Sequence, residues 1–433
     1  LKKVLLLNYY WPPCGGSAVQ RWLDITNRFA QHNIQTHVVT IDEKVATFPF
    51  VDKSLEKRIH ASTVVHKTDT AELFSLYKKY ISDGKMPTPG MGEVKHDTFM
   101  QKVARFVRGN FFLPDPRKGW NTYALKKAME IIKKEQIDTV FTAGPPQSTH
   151  LMGLAIKKKM PNIKWVADLH DYWTDISHLK MFYRTAWAQR IDRKLEHKVL
   201  LQADWVMTHC QSSKKILSER LQPRQDNKFI VHTMGYNAEL FQDVYSHKNQ
   251  SEFIIAYTGI LGDNYDADVF FKAFQKAQQA LPHIPMRIKI AGKFNDVNNI
   301  VSRLNLQAHY QYLGYISQEE VIQLLKYSSA LLLMNPHEPN ESNIVPGKIY
   351  EYLAAYKPII SISGKESENA AIIEQCNAGC NFDWTEEQAL ADYIMDLATL
   401  WSQNKNLDLA INPTVQQYDR SIEVQRLIDR VSL

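Results

Sequence analysis

Val345-Pro346-Gly347-Lys348-Ile349-Tyr350-Glu351-Tyr352-Leu353-Ala354-Ala355-Tyr356-Lys357-Pro358-Ile359-Ile360 is the stretch on which the reading of the fold turns. An apolar run, Ala330–Met334, precedes it, followed by a polar loop from Asn335 to Asn343. Pro346 suits the first turn of a helix, where its missing N–H would have no partner in any case. Lys357-Pro358 closes that helix, and the apolar residues from Ile359 to Ser363 form a second strand. The unit is strand, loop, short helix, strand. In parallel sheets built this way, ligands bind beyond the carboxyl ends of the strands. Lys348 and Glu351 stand three apart and share a helix face. A cation beside a helix N-terminus suits phosphate, and a carboxylate one turn on can accept hydrogen bonds from a ribose diol. A surface ion pair between the two is the competing reading.

Working outward, both halves of the chain alternate strand and helix. In the first half the strands are Val4–Asn8, Gln35–Ile41, 63–67, Thr139–Thr142, Lys164–Leu169, 204–209 and 229–232, with helices such as 18–31, 120–134, 149–159, 186–200 and 212–221 between them. Residues 83–118 show no clear period, and Met86-Pro87-Thr88-Pro89-Gly90-Met91-Gly92 reads as a loop or lid. The polar stretch 245–252 marks a break. A second series follows, with strands at 253–258, 286–291, 310–313, 330–334 and 358–363, and helices from about 366 to the end. Two such series predict an α/β protein of two doubly wound, Rossmann-like domains facing a central cleft, over residues 1–248 and 249–414.

The 433 residues are 44% hydrophobic and 23% charged, an ordinary globular balance and enough for two domains. No apolar run is long enough to span a bilayer. The first eight residues, Leu1 to Asn8, read as a buried strand rather than a secretion signal. Cys14, Cys210, Cys376 and Cys380 are scattered without a CxxC pair, so a reduced cytoplasmic protein without structural zinc is expected. Charge is uneven. Residues 1–250 carry 38 Lys and Arg against 24 Asp and Glu, a net of +14, and the remainder carries 14 against 22, a net of −8. A basic half suits an anionic membrane surface, a lipid-diphosphate acceptor or nucleic acid. The basic residues are not interleaved with aromatics in a nucleic-acid motif, which disfavours the last. Lysine runs such as Lys157-Lys158-Lys159 also serve as solvated helix ends. Peripheral contact with the inner face of a membrane is the expectation drawn from the asymmetry.

Several loops at strand ends carry chemistry. Asn8-Tyr9-Tyr10-Trp11-Pro12-Pro13-Cys14-Gly15-Gly16-Ser17-Ala18-Val19-Gln20-Arg21 joins the first strand to its helix. Gly15 and Gly16 let backbone approach a ligand, and the helix start favours an anion. The loop is not GxGxxG, which argues against a dinucleotide oxidoreductase; a plain turn is the simpler alternative. Thr142-Ala143-Gly144-Pro145-Pro146-Gln147-Ser148-Thr149-His150 follows a strand, with Ser148 placed to cap the next helix. Ala167-Asp168-Leu169-His170-Asp171-Tyr172-Trp173 ends another. His170 with Asp171 could act as acid or base near neutrality, or form a hydrogen bond that orients the loop. In the second half, Tyr257-Thr258-Gly259-Ile260-Leu261-Gly262 opens a βα loop, and Lys293 follows Ile290-Ala291-Gly292. Asp266-Ala267-Asp268 spells a DxD, but acidic residues at a helix start are ordinary caps. Leu313-Gly314-Tyr315-Ile316 and His232-Thr233-Met234-Gly235-Tyr236-Asn237 complete the set.

In this order, these segments resemble the retaining GT-B glycosyltransferases of family 4, over most of the chain. The family's nucleotide helix carries a Glu that holds the ribose, followed by small residues and "kPii". Glu351 occupies that position. The family Glu eight residues earlier, which contacts the transferred sugar, is here Asn343, with Glu338 and Glu341 close by. The Asp-x-Arg-Asp-x-Trp pattern has His170 in place of Arg. An Arg commonly follows the glycine at Gly259; here it is Ile260, leaving Lys293 and Lys348 to neutralise the diphosphate. The 8–21 loop resembles the family's cleft-facing N-terminal loop, Leu113-Pro114-Asp115-Pro116-Arg117-Lys118-Gly119-Trp120 a recurrent segment, and Gly314-Tyr315 the nucleobase loop. The family's C-terminal helix crosses back to the first domain, a role open to residues of about 415–433.

The resemblance implies a metal-independent enzyme moving a sugar, with retention, from a UDP- or GDP-linked donor to a glycan or lipid-linked acceptor in surface-polysaccharide assembly. It implies no further cofactor. Gly15, Gly16, Gly259, Lys293, Tyr315, Lys348 and Glu351 would form the donor site. Arg21 and His150 would lie on the acceptor side, and His170, Asp171 and Asn343 would act at the reacting centre. A sugar-nucleotide epimerase of the same architecture and a non-catalytic sugar-nucleotide-binding protein are the rival readings.

Overall fold

A computed structural model describes residues 1–71, 99–174, 177–242, 251–294, 297–338, 341–404 and 406–433. The expected loop at 86–92 and most of the polar break at 245–252 lie outside the described residues. The chain divides into two compact units. One holds the described residues up to Thr233 together with Val424–Leu433, and the other runs Met234–Glu423.

The first unit is a seven-stranded parallel sheet: β1 (Lys2–Leu7), β2 (Ile34–Ile41), β3 (Val64–Thr68), β4 (Thr139–Gly144), β5 (Lys164–Leu169), β6 (Trp205–Thr208) and β7 (Phe229–Val231). Its order is β3-β2-β1-β4-β5-β6-β7. Helices connect the strands: α1 (Ser17–Gln31), α2 (Phe99–Phe111), α3 (Asn121–Glu135), α4 (Thr149–Lys159), α5 (Ala186–Gln202) and α6 (Gln211–Glu219). β1 shows why its sequence is continuously apolar. Successive side chains leave a strand on opposite faces, and helices cover both. Val4 and Leu6 enter one core cluster, Leu5 and Leu7 the other.

The second unit is a six-stranded parallel sheet: β8 (Phe253–Leu261), β9 (Met286–Phe294), β10 (Tyr310–Gly314), β11 (Ala330–Met334), β12 (Ile359–Ile362) and β13 (Gly379–Phe382), in the order β10-β9-β8-β11-β12-β13. Its helices are α7 (Asp268–Ala280), α8 (Val297–Arg303), α9 (Gln318–Tyr327), α10 (Lys348–Ala354), α11 (Glu368–Gln375), α12 (Glu387–Asn404) and the short α13 (Pro413–Gln416). In both sheets the order reverses beside the first strand, and such a switch point opens a crevice at the carboxyl ends. The last helix, α14 (Arg420–Val431), gives Val424, Leu427, Ile428 and Val431 to the core that also holds Val4, Leu6 and Leu23. The division after Thr233 falls earlier than the break read from polarity.

Two expectations need correction. Helices were expected from Glu366 onward, yet Gly379-Cys380-Asn381-Phe382 is a strand paired with β12. Four residues with one large apolar side chain carry no period, so the neighbouring strand supplies the signal. Phe99–Phe111, inside a stretch read as aperiodic, is a helix. Its apolar residues do recur at helical spacing, but they are interleaved with Lys102, Arg105 and Arg108 and end at Gly109.

Candidate functional site

β8 lies at the switch point of the second sheet and pairs with β9 through Gly259↔Gly292 and Ile260↔Lys293 to Leu261↔Phe294. Gly292 sits at φ +130, and a Cβ there would lie 1.8 Å from the Gly259 carbonyl oxygen. Gly259 itself is at φ +119. The two facing glycines leave the backbone bare two residues before the end of β8, where Lys348 of α10 packs. Lys348 Nζ donates to the Thr258 carbonyl at 3.0 Å and stands 3.8 Å from the centre of the Tyr257 ring. A Cβ on Gly259 would be 3.3 Å from that nitrogen. No carboxylate among the described residues pairs with it. Burial without a counter-ion pushes the ammonium down to about 7.

The surface ion pair between Lys348 and Glu351 therefore does not form. Tyr352 fastens the helix to β8. Its hydroxyl accepts from the Thr258 N–H at 3.0 Å and shares a hydrogen bond with Thr258 Oγ1 at 3.2 Å. One turn on from Lys348, burial raises the Glu351 carboxyl, and the Arg420 guanidinium opposes that shift. Arg420 is held in place by donating to the carbonyls of Met234 at 3.0 Å and Gly235 at 3.2 Å. A cation with no carboxylate partner among the described residues, one helical turn from a carboxylate and beside two facing glycines, can hold a phosphate and a diol together.

In the first unit, Asn8, Tyr10, Arg21, Gly144, Asp168 and His170 are among the residues that line a cavity. Arg21 Nη1 meets Asp168 Oδ2 at 2.5 Å, and Trp22 Nε1 donates to the same oxygen at 2.8 Å. Both charges are buried. Burial raises the Asp168 carboxyl while Arg21 works against it. Arg21 Nη2 also donates to the His232 carbonyl at 3.3 Å. The pair ties α1 to β5 and to the residue after β7.

The model of Glycosyltransferase Family 4 matches residues 18–233, and that of Glycosyl transferases group 1 matches residues 241–411. The chain is a GT-B glycosyltransferase of the family 4 type. Among solved structures, a glycosyltransferase from Rickettsia africae ESF-5 aligns with TM-score 0.60 at 16% identity, covering 100% of this chain and 98% of that one. A TarM variant from S. aureus, in complex with fondaparinux, alpha-GlcNAc-glycerol and UDP, gives 0.57 at 11%, covering 100% of each chain. A UDP-GlcNAc 2-epimerase from Methanocaldococcus jannaschii gives 0.53 at 12%, with 100% and 99% covered. At these identities the likeness shows the fold alone. No curated protein matches by sequence.

Within this glycosyltransferase, the structure brings Gly259, Lys348 and Glu351 to one place, and adds Tyr257, Tyr352 and Arg420, which sequence spacing did not single out. Lys293 is exposed just past Gly292 on β9. Tyr315 is 96% exposed, beyond Gly314 at φ +69. Asn343 is half-buried in a short turn, Glu341–Asn343. That loop is braced by Asn335, whose Nδ2 donates to the Ile344 carbonyl at 3.0 Å and whose Oδ1 accepts from Asn369 at 2.8 Å. Glu338 accepts from Asn264 Nδ2 at 2.6 Å. The two carboxylates of the DxD have separate partners: Asp268 pairs with Arg303, and Asp266 lies 3.6 Å from His337. Among the described residues, no three His, Cys, Asp or Glu side chains group as a metal site.

In the first unit of the glycosyltransferase, His170 faces other imidazoles, with its ring centre 5.3 Å from that of His209. Burial, Arg21, His209 and His232 together hold it well below its ordinary range, so it is neutral at neutral pH. No hydrogen bond joins it to Asp171. Burial and the neighbouring Asp168 raise the Asp171 carboxyl, though the residue keeps solvent contact that limits this push. His150, expected on the acceptor side, is fully buried, with Nδ1 2.9 Å from Thr142 Oγ1. A Cβ on Gly144 would lie 2.5 Å from His150 Nε2, so the ring props that turn from beneath and presents no surface to an acceptor. Arg21, also expected there, pairs with Asp168 and lines the first unit's cavity. A Cβ on Gly15 would meet the edge of the exposed Phe50 ring at 2.5 Å. Gly16, at φ +123, leads into α1 without a side-chain cap.

Proposed function

We propose that this glycosyltransferase moves a sugar, with retention, from a UDP- or GDP-linked donor to a glycan or lipid-linked acceptor in surface-glycan assembly. It works without an obligate metal and peripherally at the inner face of a membrane. The observation that carries the donor reading is Lys348, a half-buried cation over the Tyr257 ring with no carboxylate partner among the described residues. A donor diphosphate supplies the missing anion. Its charge grows as the bond to the sugar breaks, and a preset cation then stabilises the transition state more than the ground state. Lys293 adds a second positive charge from β9. Glu351 accepts hydrogen bonds from the ribose hydroxyls. Asn343 and nearby loop amides hold the sugar. His170, neutral and lining the first unit's cavity, accepts or donates a hydrogen bond to the acceptor without carrying charge.

Thermal stabilisation by UDP, GDP, ADP and CMP tests this, with Glu351→Ala beside the wild type. A ligand bound to the folded state stabilises it by about 2.7 kcal/mol at a hundred times its dissociation constant, and so raises the midpoint. UDP or GDP should shift the wild type and leave the variant unshifted. A variant shifted as far as the wild type removes Glu351 from the site. An NMR time course with donor alone separates transfer from epimerisation, since a transferase leaves the donor sugar's configuration unchanged until an acceptor is added.

A further inference from the structure

In domains of this kind the loop from a strand to the next helix usually runs to about 2–6 residues. The loop from β11 to α10 spans residues 335–347. It carries Asn343, and a loop of that length keeps one shape only where it is anchored. Asn335 braces its start against the Ile344 carbonyl. Further along, it is anchored on the loop that follows β8. The His337 N–H donates to the Asn264 carbonyl at 2.6 Å, and Asn264 Nδ2 donates in turn to Glu338 Oε1 at 2.6 Å.

The His337 side chain adds a second hold. Its ring lies flat against the Trp384 indole, with centres 4.2 Å apart and planes 10° from parallel. Its Nδ1 stands 3.6 Å from Asp266 Oδ2. Trp384 lies just past β13 and is itself fixed, packed against the second unit's core and donating from Nε1 to the Tyr265 carbonyl at 3.3 Å. Asp266 sits at φ +50, a left-handed conformation that few residues other than glycine take up. A sparsely populated conformation persists only where the surroundings hold it. His337 therefore joins the loops after β8, β11 and β13, and it does so from the surface, with its side chain 55% exposed. An exposed contact of this kind adds little to the stability of the whole fold. What it fixes is local: the loop that carries Asn343.

We propose that His337 is a positioning residue for the transferred sugar: stacked on Trp384 beside Asp266, it holds the 335–347 loop in the shape that presents Asn343 to the donor sugar. The inference rests on the reading of that loop as the sugar's holder, and it names the side chain that sets the loop's shape. Two measurements on the full chain test it. Hydrogen exchange read by mass spectrometry should show the loop's amides exchanging about tenfold faster in His337→Ala than in the wild type, with β8, β9 and β11 unchanged. His337→Phe, which keeps the stack, should recover most of the protection. Of UDP-glucose, UDP-N-acetylglucosamine and GDP-mannose, the one that binds the wild type most tightly is then compared with its bare nucleotide. His337→Ala should weaken the nucleotide sugar about tenfold and leave UDP or GDP within about twofold; His337→Phe should bind the nucleotide sugar nearly as the wild type does. Equal loss for the two ligands, or loss for neither, overturns the proposal, and so does a loop that exchanges no faster. A Phe variant no better than the Ala variant overturns it too, since the stack is then not what holds the loop. A wild type that binds neither a bare nucleotide nor any of the three nucleotide sugars overturns the donor reading itself, and the proposal falls with it.

Discussion

Lys348 combines two properties that pull against each other, and the conflict makes it testable. A lysine in the unfolded chain titrates near 10.4; here burial brings it to about 7. Because the folded value is the lower one, the group costs stability. The cost is present in full below about 7 and fades as pH rises from there toward the unfolded value. Lys348→Met, which keeps length without charge, should therefore leave the free protein at least as stable at pH 7 while abolishing stabilisation by a nucleoside diphosphate. In the wild type a bound diphosphate restores the proton. Nucleotide affinity should fall progressively between pH 7 and 9, by up to about tenfold per unit. Calorimetry at pH 8 in two buffers of different ionisation enthalpy should show proton uptake on binding. A flat affinity from pH 7 to 9 with no uptake means that the diphosphate does not meet this ammonium.

An element must be rigid to hold a charge in place, and α10 is short. Its seven residues are held by Tyr352 on Thr258 and by the bare backbone of β8 and β9 beneath them. Tyr352→Phe leaves the buried Thr258 N–H without its acceptor, a loss of about 1–3 kcal/mol, read as a lower midpoint in urea, and should weaken nucleotide binding as the helix loosens. Gly292→Ala meets the Gly259 carbonyl at 1.8 Å and a φ of +130. It should cost at least about 1–3 kcal/mol of backbone strain, and soluble protein with unchanged stability would show that the strand ends are looser than described. At this scale the sequence was most readable. Strands buried on both faces and helices ended by Lys357-Pro358 announce themselves locally. β13 did not, because its place is fixed by β12 across a sheet rather than by its own four residues. The site was readable to the extent that it is local: Lys348 and Glu351 are one turn apart. The ring under Lys348 comes from 91 positions away and Arg420 from the far side of Glu351, and nothing in a linear pattern announces a cation–π contact or a long-range guanidinium. In the first unit, His150, which the resemblance put on the acceptor side, is fully buried. Packing under Gly144 explains the same residue.

Across the whole molecule, the two units have separate cores, and the first takes its last piece from the end of the chain. Val424, Leu427, Ile428 and Val431 recur at i, i+3, i+4, i+7 and pack with residues of β1 and α1 more than 390 positions earlier. The second unit's main cluster, built from Phe253, Ile255, Phe270, Trp401 and their neighbours, contains none of them. Truncating Leu427, fully buried, should cost about 2–5 kcal/mol. Gln425→Ala, two residues before it on the exposed side of the same helix, should stay within about 0.5 kcal/mol. The loss belongs to the first unit's core, whereas Lys348, Glu351 and Arg420 belong to the second. Leu427→Ala should thus lower the urea midpoint while leaving UDP or GDP affinity, measured well below the melting temperature, within twofold of wild type. If affinity collapses together with stability, the nucleotide site depends on the first unit's integrity, and placing the donor residues wholly on the second sheet would be wrong.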